Sequence, residues 1–227
     1  MKASWSPPKI WKNGECYILG GGPSIPEVFD IPESLVRAVR KKEKDLSTFS
    51  PYMEPIHDKH VIAVNSAYKL GNWIDVIFFG DKTWYLDNRY NLAKIPRIKV
   101  TCSPYFRTAI QEEQIKFIAR DSKKLGLSDK PTTLCWNYNS GACAIDLAIH
   151  FGVKRIYLLG FDMQNKAKTG NSHWHAEYSN RKKDPPYKRH LQGFPSIAKI
   201  ASQRDIEIIN ISTNTAITEF PIWRTLE

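Results

Sequence analysis

Hydrophobic positions in this chain gather into six short runs, at residues 16–20, 60–65, 76–80, 98–102, 154–160 and 207–211, each rich in β-branched or aromatic side chains. Runs of that length with little internal alternation are the pattern of strands buried on both faces of a parallel sheet. Between them, apolar positions recur every three or four residues. Ala144, Leu147, Ala148 and Phe151 do so ahead of Gly152, which predicts a helix over Ser140–Phe151 with the glycine as its C-cap. A second helix is expected over residues 191–204. Strands and helices in alternation predict an α/β chain with a Rossmann-like, doubly wound, mainly parallel sheet, and ligands in such sheets bind beyond the carboxyl ends of the strands. Two stretches break the pattern. Residues 31–59, charged and bounded by prolines, read as an insertion with its own helix, and residues 163–190, polar and irregular, read as a lid.

Composition narrows this picture. A chain of 227 residues suits one such domain, and 42% hydrophobic with 12% aromatic residues excludes a disordered chain. No window approaches the roughly 18 uninterrupted apolar residues of a membrane span. The opening "MKASWSPPKIWKNGE" lacks the apolar centre of a secretory signal, so the expected location is the cytoplasm. Cys16, Cys102, Cys135 and Cys143 stand at no metal-ligand spacing; packed, reduced thiols are expected, and no metal site. The net charge of +10 is spread over residues 37–45, 94–99, 123–124 and 181–189. Such a field favours an anionic ligand or partner, whether nucleotide, phosphorylated sugar or nucleic acid.

Several motifs could carry chemistry. In "YILGGGPSIPEV" a predicted strand runs into Gly20, Gly21, Gly22, Pro23 and Ser24, a turn whose backbone can approach a phosphate closely and offer it N–H groups. It is neither a dinucleotide fingerprint, since Ile25 stands where glycine or alanine is required, nor a Walker loop; a plain strand-to-helix turn is the alternative. Asn65 and Asp81 each follow a predicted strand end. The amide suits a base or sugar and the carboxylate suits hydroxyls or a metal, while either could instead cap a helix. Asn139, Ser140 and Gly141 open the predicted helix, where an anion can rest on N–H groups, or where Ser140 serves as a simple N-cap. His150 on that helix reads as a packing or surface residue.

In "TGNSHWHAEYSNRKKDPPYKRH", His173 and His175 flank Trp174, so in an extended segment they point to one side. An imidazole titrates near pH ~6.5 and can accept a hydroxyl proton at neutral pH. Two metal ligands, or ordinary loop histidines, are the competing readings. The basic run that follows, stiffened by Pro185 and Pro186, would close over an anionic substrate.

Taken in order, "GGGPS", Asn65, "NSG" with "LAIHFGVKRIYLLGFD", "NSH" at 171–173 and "STNTAI" at 212–217 resemble bacterial CMP-sialic-acid-dependent sialyltransferases. The resemblance extends to the wider group of motility-accessory glycosyltransferases and 6-hydroxymethylpterin diphosphokinases. It covers residues 16–220 and is strongest over 139–162. It implies a transferase that uses a nucleotide-sugar donor, CMP-linked in the first instance, and a hydroxyl acceptor, with inversion and no required cofactor. Gly21, Gly22, Pro23, Ser24 and Asn65 would then hold the donor, with Asn139, Ser140 and Gly141 against it and Asp81, Asp162, Asn214 and Thr215 completing the set. His173 would be the base and His175 the next candidate. The stretch "FDMQNKAKTGNSH" is short here and has no tyrosine; Lys166 and Lys168 are its cations, suited to neutralising a phosphate. An ATP-dependent diphosphokinase, in which Asp81 would work with Mg²⁺, and a non-catalytic basic nucleic-acid-binding protein are the alternatives.

Overall fold

The computed structural model describes residues 4–108, 114–165, 172–176, 186–212 and 214–226, without the side chains of Arg107 and Thr108. Ten strands lie within these: β1 (Glu15–Leu19), β2 (Val61–Val64), β3 (Val76–Phe79), β4 (Ile98–Thr101), β5 (Ile115–Phe117), β6 (Ala119–Asp121), β7 (Thr133–Cys135), β8 (Arg155–Leu159), β9 (Glu207–Ile211) and β10 (Ile222–Trp223). Eight form one sheet in the order β10-β9-β8-β1-β2-β3-β4-β5, and each of its pairings is parallel. β6 and β7 make a separate parallel pair.

Side-chain alternation explains why both faces are covered. Along β1, Cys16 and Ile18 join one apolar cluster, whereas Tyr17 and Leu19 join the other. The first cluster is roofed by α5 (Ser140–Phe151) and α7 (Phe194–Gln203), through residues such as Leu147, Phe151, Phe194 and Ile197. The second is covered by α1 (Ile25–Val28), α2 (Glu33–Arg40), the 3₁₀ segments Leu46–Ile56 and Asn65–Leu70, and α3 (Lys82–Ala93). Two shorter helices, α4 (Tyr105–Thr108) and α6 (Tyr187–His190), complete the elements. This is the Rossmann-like, doubly wound α/β architecture read from the sequence.

Residues 31–59 contribute Val36, Val39, Phe49, Met53 and Ile56 to the second cluster, so this stretch forms part of the wall of the domain. The helix over Ser140–Phe151 ends as expected, on Gly152 at φ 99° in the left-handed region. Its cap is Asn139 rather than Ser140: the Asn139 Oδ1 accepts from the N–H groups of Gly141 at 2.8 Å and Ala142 at 3.3 Å. The helix expected over 191–204 starts later, at Phe194, because Gly193 takes its N-cap and a proline opens its first turn. All four cysteines are buried and unbridged, and burial pushes the Cys135 thiol up to about 12. His150 Nε2 donates to the Thr133 carbonyl at 3.0 Å and lies 3.9 Å from Asp146, a packing arrangement. Among the described residues no helix is long and apolar enough to cross a membrane.

Candidate active site

From β1 the sheet grows outward through β2, β3, β4 and β5, and the chain then returns through α5 to β8 on the other flank of β1. The strand order therefore reverses between β1 and β8, and the region beyond the carboxyl ends at such a switch point is where open α/β sheets bind ligands. The loop after β1 is Gly20–Gly21–Gly22, and the loop after β8 is Gly160–Phe161–Asp162. They pack so closely that a Cβ on Gly20 would stand 2.6 Å from the Gly160 carbonyl, and one on Gly22 at the same distance from it. Gly160 itself lies at φ 70°. No side chain fits at either position, which accounts for the glycines chosen there.

Asp162 fastens these loops together. Its Oδ2 accepts from the Ser24 hydroxyl at 3.0 Å and the Ser24 N–H at 3.4 Å, and its Oδ1 accepts from the Ser212 hydroxyl at 3.3 Å. Ser212 directly follows β9, so one carboxylate links the loops after three adjacent strands. Burial raises its pKa from near 3.8 to about 6, with the serine hydrogen bonds opposing the rise. A carboxyl whose folded pKa exceeds its unfolded value favours folding most below the unfolded value, and that contribution is lost as pH rises through about 6. Asp146, raised to about 7 by burial, acts with the same sign. We expect Asp162→Asn to flatten the part of the stability-pH curve between about 4 and 6, removing on the order of 3 kcal/mol of variation, at about 1.4 kcal/mol per pH unit. Urea midpoints of both proteins across that range test this; parallel curves would show that Asp162 does not titrate there.

The histidine segment folds over the glycine turn. Trp174 is 1% exposed, inserts beside Phe49 with ring centroids 5.6 Å apart, and donates from Nε1 to the Gly20 carbonyl at 3.1 Å. Its backbone N–H donates to the Gly21 carbonyl at 3.2 Å. The Arg40 guanidinium on α2 donates to the His173 carbonyl at 3.1 Å. Pinned this way, both imidazoles face Gly21: a Cβ there would lie 2.9 Å from His173 Cδ2 and 3.7 Å from both Nε2 atoms. The two rings are 5.4 Å apart. His173 is half-buried, with Nδ1 2.8 Å from the Ser172 hydroxyl. His175 is 4% exposed, and burial, reinforced by His173, Lys69 and Arg40, holds its pKa well below the usual imidazole range. His175 is thus neutral at physiological pH.

Asn65, at the end of β2, adopts φ 52°, a left-handed conformation that asparagine tolerates better than most residues. Its Oδ1 is buried with no hydrogen-bond partner among the described residues. His173 and His175 thus gather at Gly21, and Asp162 at Gly22 and Ser24, beyond the carboxyl ends of β1 and β8, while Asn65 follows the adjacent β2. Other expected site residues are held by contacts within the chain. Asp81 caps α3, accepting from the Trp84 N–H at 2.8 Å. Asn139 spends its oxygen on α5 and its amide nitrogen on the His190 carbonyl at 3.3 Å. Ser140 packs against Gly80 and Gly141 against Phe161. Thr215 donates to the Phe161 carbonyl at 2.8 Å, and Asn214 accepts from Gln164 at 2.7 Å. Lys166, Lys168 and the run 181–185 lie outside the described residues. Among the described residues no group of three His, Cys, Asp or Glu could hold a metal ion.

No protein-family model matches the sequence, and none of the curated proteins does. Solved structures do match it. Its fold is similar to that of the MAf glycosyltransferase from Magnetospirillum magneticum, with a TM-score of 0.57 and 11% identity over 98% of this chain. The chain spans only 35% of that protein. It is also similar to the sialyltransferase CstII from Campylobacter jejuni, solved with the substrate analogue cytidine-5'-monophosphate. There the TM-score is 0.51 with 15% identity over 91% of this chain and 83% of that one. At such identities the likeness is one of fold.

Proposed function

We propose that this chain is a glycosyltransferase that passes a sugar from a nucleotide-sugar donor to a hydroxyl acceptor, with His173 as general base and inversion at the anomeric carbon. The observation that carries the reading is the seating of His173 on Gly21, at the point where the strand order reverses. A donor phosphate lies over the glycine turn, and the buried, unpartnered Oδ1 of Asn65 accepts from a base amino group or a ribose hydroxyl. With His173 Nδ1–H donating to the Ser172 hydroxyl, Nε2 is the accepting nitrogen of the ring and lies on the Gly21 side. That nitrogen takes the acceptor proton as the oxygen attacks the anomeric carbon opposite the departing nucleotide. The neutral His175 beside it accepts or donates a hydrogen bond without adding charge. A CMP-linked donor is the first choice, because the similarly folded CstII was solved with CMP.

Thermal denaturation in the presence of CMP, UDP, GDP, ADP, ATP and the corresponding nucleotide-sugars tests this. One nucleotide and its sugar conjugate are expected to stabilise the protein, by about 2.7 kcal/mol at a hundred times the dissociation constant. No response from any nucleotide-sugar would overturn the proposal, as would a response to ATP with Mg²⁺ alone, which is the behaviour of a diphosphokinase.

A further inference from the structure

Beside the histidine segment lies an open pocket of about 600 Å³, lined by Tyr138, Pro186, Tyr187, Lys188, Arg189 and Gln192. None of these residues belongs to the glycine turn, Asn65 or the Asp162 link. The volume falls within the roughly 300–1,000 Å³ of small-ligand sites. We infer that this pocket is the acceptor subsite and that the acceptor is a sugar bearing a carboxylate or phosphate; the inference rests on the glycosyltransferase reading given above.

The lining has the chemistry for such a ligand. Two tyrosine rings and a proline offer flat apolar surfaces for the C–H face of a sugar ring, and Gln192 can both donate and accept at hydroxyls. The walls contain two cations and, among the described residues, no carboxylate. The Arg189 guanidinium lies 4.2 Å over the Tyr138 ring, which orders its fork before any anion arrives. Tyr138 is itself held rigidly. It and Asn137 adopt left-handed φ values of 54° and 49°, and the buried Asn137 side chain ties their turn to Gly126 and Cys135.

The pocket also adjoins Ser172, the residue that orients the proposed base. The Tyr187 hydroxyl donates to the Ser172 carbonyl at 3.4 Å, and the Ser172 side chain contacts His173 Nδ1. Asn139 binds the His190 carbonyl, fastening α6 to the mouth of α5. A sugar anchored by its anion on Lys188 and Arg189 can therefore direct a hydroxyl toward His173.

Calorimetric titration at low salt, with glucose-6-phosphate, glucuronate, neutral glucose and a short single-stranded oligonucleotide, tests the inference. At least one charged sugar is expected to bind about tenfold or more tightly than glucose, the margin that charge-assisted hydrogen bonds supply. The double variant Lys188→Gln/Arg189→Gln should lose that margin and keep its response to the nucleotide. Equal binding of charged and neutral sugars, a margin that survives in the variant, or binding of the oligonucleotide alone would overturn it. A preserved margin for charged sugars in a protein that ignores every nucleotide would overturn the transferase reading and leave the anionic-sugar site standing.

Discussion

Replacing His173 with alanine is expected to lower sugar transfer by about 10²–10⁴-fold, the usual contribution of a positioned base, while leaving nucleotide affinity nearly unchanged. The separation follows from the geometry. His173 contributes a ring that faces Gly21 and is only half-buried, so removing it creates little cavity. The groups proposed to hold the donor are the glycine turn, held by its own hydrogen bonds to Leu159, Gly160 and Asp162, and Asn65. His175 is the control. It is buried against Trp174 and kept neutral by its surroundings, so it can adjust hydrogen bonding but is poorly placed to carry a proton away. Single-turnover rates for both alanine variants, with nucleotide titrations alongside, decide between them. Full activity in His173→Ala would move the base elsewhere.

Replacing Trp174 with alanine is expected to cost about 3–5 kcal/mol of stability, the range for removing a large buried aromatic side chain, and to abolish transfer as well. The indole is wholly enclosed, packs on Phe49 and His175, and satisfies the Gly20 carbonyl. Without it, the segment that carries both imidazoles loses its buried anchor and its hydrogen bond to Gly20, keeping among the contacts described above those from Arg40, Tyr187 and its own backbone. Trp174→Phe keeps one aromatic ring in the core and loses the N–H donor and part of the indole volume, at a cost of about 1–3 kcal/mol for the carbonyl left unsatisfied plus that of the space left unfilled. Urea denaturation gives both values. An alanine variant destabilised by less than about 1 kcal/mol would mean that the histidine segment is not docked on the sheet.

The sequence was most legible where one period ran long enough to be counted. The helix Ser140–Phe151 and the strand Glu207–Ile211 lie where the apolar pattern places them, and the other five strands differ from the expected runs only at their ends. Shorter elements were not legible. Ile115–Phe117, Ala119–Asp121, Thr133–Cys135 and Ile222–Trp223 span two or three residues each, below the length at which alternation means anything. The 3₁₀ segment Leu46–Ile56 contains Pro51 and Pro55, which destroy a helical period while permitting tight turns. At the site, the strand ends made Gly21, Gly22 and Asn65 visible, and the spacing of His173 and His175 correctly implied a shared side. Trp174 was passed over as a spacer between them, and Arg40 as part of a surface charge run. Ser212 opens the motif at 212–217, but nothing local to it shows that its partner stands fifty residues away. Tyr138 and Arg189 were equally silent, because their pairing depends on how α6 meets the turn before α5.

All strands of the main sheet run the same way, which separates the two edges of the molecule by purpose. The groups proposed to touch the donor lie beyond the carboxyl ends, on loops from β1 and β2 or in the histidine segment docked on them, and the proposed acceptor subsite adjoins that segment. The opposite rim, at residues 57–60, 71–75, 94–97 and 204–206, only returns the polypeptide to the next strand. Peptide tags, fluorophores or an immobilisation tether grafted onto that rim would leave the proposed site open to solvent, which makes it the natural side from which to attach the molecule to a sensor surface.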